Sequence, residues 1–179
     1  MFKAKIFLRR ISFLVIVGVF CLGKPGFCAN AALKFSLILD KAQYSADEPI
    51  NITFSLRNLG SSPVMVNQRF YISDQKAAKN QKEVYFELTS PTGAKLACQH
   101  FYETGYPKTE YFKLLGTGEE AKSDYPRNLK GLFDIVEPGT YTLVAVYQNV
   151  FGAELGLDTF KEQLVSEPVK FTIVNTKNK

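Results

Sequence analysis

Cys98 and His100 are the first residues to consider for chemistry, because these two side-chain types bind metals and act as nucleophiles. They lie two positions apart, so a strand would present both on one face. A zinc or copper site needs three or four protein ligands, and His100 is the only histidine of the chain. We therefore predict no metal site, with Cys98 in the core and His100 near the end of a strand.

Sequence motifs of several large enzyme classes are absent. The chain has no HExxH zinc motif, no G-x-S-x-G around a serine and no glycine-rich phosphate loop. Two acidic pairs, Asp47-Glu48 and Glu119-Glu120, fall in predicted turns, whereas glycoside hydrolysis needs two carboxylates across a cleft. The sequence thus predicts a protein without catalytic activity and without a cofactor. The enzymatic alternative would require polar side chains that converge in a pocket.

The segment 99–112 is the part of the chain that most resembles a binding site, because it concentrates aromatic residues around a glycine and a proline. Exposed aromatic side chains on loops are well suited to bind peptides or sugars. This interpretation makes Tyr102, Tyr106 and Tyr111 candidate partner-binding residues, and the absence of tryptophan argues against a sugar ligand. In the alternative interpretation, the tyrosines are half-buried strand residues beside core phenylalanines.

Residues 1–31 have the layout of a secretory signal peptide. A basic beginning is followed by an apolar run, Ile11 to Leu22, and then by a stretch of small residues that ends at Ala31. We expect cleavage after Ala31, with Ala29 as the second choice, because twelve apolar residues are short for a membrane anchor of about 20. The mature protein would then be periplasmic or secreted, without stable membrane insertion. An uncleaved anchor is the alternative.

Removal of this segment changes the net charge of the chain. Five of the 22 basic residues lie before residue 32, whereas none of the 17 acidic residues does. The mature chain is therefore neutral and lacks the basic excess that a nucleic-acid partner requires. Cys98 is its only cysteine, so the sequence predicts no disulfide framework.

Apolar and polar residues alternate in several segments of the mature chain, and this period of two is the mark of half-buried β-strands. Strands are predicted at 33–40, 50–57, 64–71, 83–88, 95–102, 111–115, 120–126 and 169–174. A turn is predicted at 44–49, one helical turn at 129–133, and a loop or hairpin at 148–158. We therefore predict an antiparallel two-sheet sandwich of seven to nine strands in residues 32–175, followed by a disordered tail, 176–179.

The stretch Glu137–Tyr147 is predicted to be a turn followed by a strand in the middle of this sandwich. In immunoglobulin folds, a tyrosine at such a corner hydrogen-bonds back to the backbone, two residues before a core position that is often cysteine. Here Gly139 allows the tight corner, Tyr141 is the corner residue and Leu143 occupies the cysteine position. The core is therefore expected to be apolar and not cross-linked.

The wider pattern from Leu115-Gly-Thr-Gly-Glu119, through Leu132-Phe-Asp-Ile135, to Pro138-Gly-Thr-Tyr141 resembles secreted bacterial and fungal immunoglobulin-like modules. Some of these modules precede metallopeptidase domains of the peptidyl-lysine type. The resemblance implies the immunoglobulin-like fold and export. Its motifs are structural, so it implies no activity.

Together these features predict an exported, non-catalytic binding or accessory module that acts through its loops or an edge strand. Its partner is expected to be a protein of the cell envelope or of the outside medium. The resemblance suggests one alternative, in which the module is an inhibitor or a prodomain-like partner of a secreted peptidase. An enzyme of unknown class is the second alternative.

Overall fold

A computed structural model of the chain describes residues 33–73, 83–99, 105–123 and 126–175. The predicted signal peptide, the predicted tail, Tyr102 and His100 lie outside these ranges. Within them the protein is all-β, with short 3-10 turns and no α-helix. None of the helical segments in this part of the chain is long and apolar enough to cross a membrane.

The described residues form twelve strands. They are β1 (Leu33–Leu39), β2 (Gln43–Ser45), β3 (Asn51–Asn58), β4 (Val64–Asn67), β5 (Val84–Thr89), β6 (Lys95–Leu96), β7 (Phe112–Leu115), β8 (Glu120–Lys122), β9 (Arg127–Asn128), β10 (Gly139–Gln148), β11 (Gln163–Val165) and β12 (Val169–Val174). The 3-10 turns span Thr109–Tyr111, Leu129–Gly131 and Ala153–Leu155. The second of these confirms the helical turn predicted at 129–133.

β10 is the longest strand and lies inside the six-stranded sheet, whose order is β2-β12-β10-β5-β6. β5 pairs with β10 on one side, while β12 and β11 pair with successive parts of β10 on the other. Tyr141, Leu143, Ala145 and Tyr147 of β10 all point into the core, because alternate residues of a strand share a face. β2 joins β12 in parallel, so this sheet is mixed.

The four-stranded sheet contains β1, β3 and β8 in this order, and β9 also pairs with β3. All of these pairs are antiparallel. Aromatic rings pack this sheet against the six-stranded one: Phe35 lies 5.7 Å from Tyr147, and Phe54 lies 5.7 Å from Phe86 between ring centroids. Each fully buried phenylalanine of this kind stabilises a fold by about 1.5–3 kcal/mol.

The prediction of two sheets with seven to nine antiparallel strands was wrong in detail. β4 and β7 form a third, two-stranded sheet, and the segment 44–49, predicted as a turn, begins with β2. β2 forms because the ring of Tyr44 is buried edge-on against Phe171, with centroids 6.0 Å apart, which draws this segment alongside β12.

The strand predicted at 64–71 is shorter in the structure and ends at Asn67. The side-chain oxygen of Asn67 accepts a hydrogen bond from the backbone N–H of Arg69 at 3.0 Å, as in an Asx turn. Phe70 then has a φ of 48° and turns its ring into the core, 5.9 Å from Phe54. The end of this strand is therefore set by local side-chain chemistry and by burial, which override alternation.

The corner before β10 has the geometry of a tyrosine corner. The hydroxyl of Tyr141 donates a hydrogen bond to the carbonyl oxygen of Glu137 at 2.8 Å. Gly139 has a φ of 132°, and a Cβ added there would lie 2.7 Å from the Cβ of Pro91, so only glycine fits. Leu143, two positions after Tyr141 in β10, is fully buried in the apolar core.

Substitution Tyr141→Phe is expected to lower the free energy of unfolding by about 0.5–1.5 kcal/mol, because it removes the hydroxyl that satisfies the Glu137 carbonyl. Urea denaturation followed by circular dichroism measures the change. The matched control is Tyr106→Phe, which alters a side chain 79% exposed to solvent and should leave the stability unchanged. Equal effects of the two substitutions would argue against the corner hydrogen bond.

Stability is expected to fall between pH 10 and pH 12. Burial, together with the hydrogen bond to Asp40, raises the pKa of Tyr44 to about 12, and burial also raises the pKa of Tyr141 and Tyr147. An unfolded tyrosine titrates near pH 10. The folded state then holds protons that the unfolded state releases, so the stabilisation is complete below pH 10 and is lost as the pH rises through 12.

Thermal unfolding measured from pH 9 to pH 12.5 checks this expectation. Tyr44→Phe should reduce the slope of the melting temperature against pH in this window, because it removes one of the titrating hydroxyls. An identical slope in the variant and the wild type would show that Tyr44 does not contribute.

Candidate functional site

The predicted partner-binding tyrosines have different surroundings. Tyr102 lies outside the described residues. Tyr106 is exposed and meets only the edge of the Phe151 ring among the described aromatic residues, at 5.8 Å between centroids. Tyr111 ends a 3-10 turn, is half-buried, and faces the guanidinium of Arg69 at 5.8 Å. Tyr111 borders a cleft, and Tyr106 is not among the described residues that line it.

Arg69 is held in place by a buried carboxylate. Glu83 has no solvent exposure, and its carboxylate accepts hydrogen bonds from the Arg69 guanidinium through Nε, at 3.0 Å, and through Nη2. The other oxygen of Glu83 accepts the backbone N–H of Tyr71 at 3.0 Å. Arg69 Nη1 donates to the carbonyl oxygen of Gly105 at 2.8 Å. The guanidinium therefore has one fixed position, which no exposed arginine would have.

Two tyrosine rings lie against this fixed guanidinium. The Cζ atom of Arg69 is 5.1 Å from the ring centre of Tyr71 and 5.8 Å from that of Tyr111. A guanidinium this close to aromatic rings attracts them through the ring quadrupole, by about 0.5–2 kcal/mol depending on exposure. Arg69 thus orients both rings, and we call these three residues the arginine–tyrosine cluster.

The cluster is tied to the core through β4. The hydroxyl of Tyr147, on the buried face of β10, donates to the carbonyl oxygen of Asn67 at 2.9 Å. The side chain of Asn67 in turn accepts the backbone N–H of Arg69. A hydrogen-bonded path therefore runs from the central strand to the residue that orients the two tyrosines.

A cleft of two adjoining hollows opens beside the cluster. The polar hollow, of about 460 Å³, is lined by residues that include Gln68, Arg69, Tyr71, Glu110, Tyr111 and Arg127. The apolar hollow, of about 250 Å³, is lined by Tyr71, Ile72, Arg127, Asn128, Gly131 and Leu132. Tyr71 and Arg127 border both hollows, so they stand where the two meet. We call the pair of hollows the Arg69 cleft.

The charged side chains around the Arg69 cleft differ in whether they have an ion-pair partner. Arg69 is neutralised by Glu83, and Glu110 lies 4.0 Å from Lys108. Within the described ranges, no acidic side chain forms an ion pair with Arg127, which the pairing of β9 with β3 holds in register with Ile52. Among the residues that the structure describes, the cleft lining therefore carries one arginine without an ion-pair partner, beside two aromatic rings.

A third hollow, of about 340 Å³, lies next to the tyrosine corner. Its lining includes the acidic residues Asp134 and Glu137 and the ring of Tyr141. The described part of the chain contains no group of three or more histidine, cysteine, aspartate or glutamate residues placed to hold a metal ion. Cys98 is partly buried and packs against the hydrophobic core, and His100 lies outside the described residues.

No sequence motif distinguishes Arg69, Tyr71, Glu83 or Arg127 as site residues. Glu83 precedes a strand whose inward residues are Val84, Phe86 and Leu88, and the alternation places it on the solvent side. The sequence offered one signal, an arginine directly before two aromatic residues, Phe70 and Tyr71. That signal does not identify Glu83 as the acidic partner of the arginine.

Comparison with protein-family models finds none that matches this chain. No curated protein matches it either.

Substitution Arg69→Met is expected to lower the free energy of unfolding by about 3–5 kcal/mol, because it leaves the Glu83 carboxylate buried without its cation. Adding Glu83→Gln to this variant should restore part of the lost free energy of unfolding, since the double variant buries no unpaired charge. Urea denaturation of the two single variants and the double variant completes the cycle.

The matched control is Lys95→Met, which breaks an exposed ion pair with Glu87 and should cost about 1 kcal/mol or less. If Arg69→Met costs no more than Lys95→Met, the buried pair does not organise this region.

Proposed function

We propose that this protein is an exported, non-catalytic, immunoglobulin-like module that binds a protein partner in the Arg69 cleft. The observation that carries the proposal is the arginine–tyrosine cluster, in which a buried carboxylate fixes an arginine that orients two tyrosine rings beside an open cleft. Tyrosine and arginine are enriched among the residues that dominate protein–protein binding energy.

The strand order supports the immunoglobulin-like part of the proposal. Such domains place strands A, B, E and D in one sheet and C, F and G in the other. If β1, β3 and β8 are A, B and E, then β5, β10 and β12 are C, F and G, and both sheets have the expected neighbours. Tyr141 then lies at the start of the F strand. β7 occupies the D position in chain order but pairs with β4 instead.

The preorganisation of the cluster supports binding as its role. Ordering a long side chain at an interface costs free energy on association, about 0.5–1.5 kcal/mol for each one. The side chain of Arg69 does not have to be ordered on binding, because Glu83 and the carbonyl oxygen of Gly105 already hold it in place. The two rings that pack on it are restrained in the same way. A partner would therefore meet a rigid surface, as in interfaces whose central residues bind tightly.

Export is supported by the basic and apolar residues of segment 1–31, and a protein partner by the neutral charge of the remaining chain. The polar groups among the described residues that line the Arg69 cleft are arginines, tyrosines, amides, the hydroxyl of Ser123 and one carboxylate, Glu110, which lies close to Lys108. These groups suit recognition by hydrogen bonds, stacking and charge, which is why we propose a binding role.

Panning a random-peptide display library against the purified protein tests the proposal. We expect enriched peptides whose dissociation constants rise about tenfold or more in Tyr111→Ala, because this substitution removes one ring of the cluster. Fluorescence anisotropy with the synthetic peptides measures the constants. The contrast variant is Tyr106→Ala, an exposed tyrosine that does not border the cleft, and its constants should equal those of the wild type.

Two results would contradict the proposal. One is the absence of any enriched peptide that binds the wild type. The other is binding that depends on Tyr106 and not on Tyr111, which would move the site to the exposed part of the aromatic segment.

A further inference from the structure

We propose that the partner segment of the Arg69 cleft places a single carboxylate against Arg127 and a large apolar side chain in the adjoining apolar hollow. The inference rests on the proposed function and adds the chemistry of the ligand. The observations behind it are the position of Arg127, its lack of an ion-pair partner among the described residues, and the different linings of the two hollows.

Arg127 is the residue from which the ligand chemistry follows. It borders both hollows, is half-exposed, and is fixed at the backbone by pairing with Ile52. Its guanidinium offers a planar array of donors that matches a carboxylate with two parallel hydrogen bonds. The other arginine of the cleft, Arg69, already has its carboxylate in Glu83. A ligand carboxylate therefore has one natural position, at Arg127.

The apolar hollow sets the second requirement. Ile72 and Leu132 form its base, since both are nearly completely buried, and the ring of Tyr71 forms a side. A hollow of about 250 Å³ accommodates a leucine-sized or phenylalanine-sized side chain, whose burial contributes about 1.5–3 kcal/mol when complete. A polar side chain would lose its hydration there without gaining a charged partner other than Arg127.

The spacing of the two groups follows from their common border. An extended peptide rises about 3.3 Å for each residue, so groups held at adjoining hollows lie one or two positions apart in sequence. The ligand motif is thus an acidic residue, or a C-terminal carboxylate, within two positions of a large apolar residue.

Glu110 restricts the number of negative charges in the ligand. Its side chain lines the polar hollow and is 65% exposed, with Lys108 at 4.0 Å as its partner. A second carboxylate or a run of phosphates placed in the polar hollow would meet this like charge. Outside segment 1–31 the chain also has no excess of basic residues that would attract a polyanion. The cleft therefore favours one carboxylate over an acidic run or a nucleic acid.

The test uses two random-peptide libraries, one with blocked C-termini and one with free C-termini. We expect enriched sequences in which a carboxylate lies within two positions of a large apolar residue. Enrichment in the blocked library supports a side-chain carboxylate, and enrichment in the free library alone supports a C-terminal one. Both outcomes support the inference, because the chemistry at Arg127 is the same.

A double-mutant cycle then ties the carboxylate to Arg127. Replacing the acidic residue of a selected peptide by its amide should weaken binding to the wild type about tenfold or more, but weaken binding to Arg127→Gln by no more than about twofold. Arg127→Lys keeps the charge and should retain part of the affinity. Binding to the wild type should also weaken with added salt.

The matched control is Arg57→Gln. Arg57 is an exposed arginine further along β3, in register with Glu120, and it lies five positions from Ile52, the residue that pairs with Arg127. At about 3.3 Å for each residue its backbone is about 17 Å from that of Ile52. Arg57 is not among the described residues that line either hollow, so its removal should leave the affinity unchanged. Thermal unfolding of each variant verifies that it is folded.

The inference is overturned if the enriched peptides carry no carboxylate, or if they bind Arg127→Gln as tightly as the wild type. Such peptides could still depend on Tyr111, and the proposed function would then stand without this ligand chemistry. If no peptide depends on Tyr111, the proposed function itself fails.

Discussion

Burial of the Glu83 carboxylate is the constraint on which the cleft side of this molecule depends. An isolated carboxylate in the protein interior costs several kcal/mol, so the fold must supply a cation and hydrogen-bond donors next to it. Arg69 and the backbone of Tyr71 provide them, and this requirement brings the chain that follows β4 back onto the start of β5. The pairing of Arg69 with Glu83 also positions Tyr71 and Tyr111, because both of their rings pack on the Arg69 guanidinium.

The alternation of apolar and polar residues predicted those strands in which the side chains of one face lie in the core. β1, β3, β5 and β12 were predicted at nearly their observed bounds, since each has several inward apolar residues in succession. Short strands could not be found in this way. β2 and β11 have three residues each, and they exist because longer strands offer them free backbone groups. The third sheet was also missed, because pairing between β4 and β7 depends on how the chain folds back.

The site was only partly predictable, for a different reason. Tyr111, which borders the cleft, was already a candidate in the sequence, because aromatic residues near glycine and proline form a local pattern. The Arg69–Glu83 pair joins residues 14 positions apart in sequence, and it has no periodicity by which sequence could reveal it. Arg127 is harder still to find from sequence, because the ligand contact that we propose for it depends on which described charged side chains lie near it in three dimensions. Charge compensation in a folded protein is a property of three-dimensional neighbours, and composition alone does not contain it.

The position of β12 at the side of β10 has a consequence for biosynthesis. β12 completes the hydrogen bonding of both β10 and β2, yet it is the last of the described strands to be synthesised. The six-stranded sheet therefore cannot close before synthesis has passed Val174, and until then the nascent polypeptide lacks part of its core.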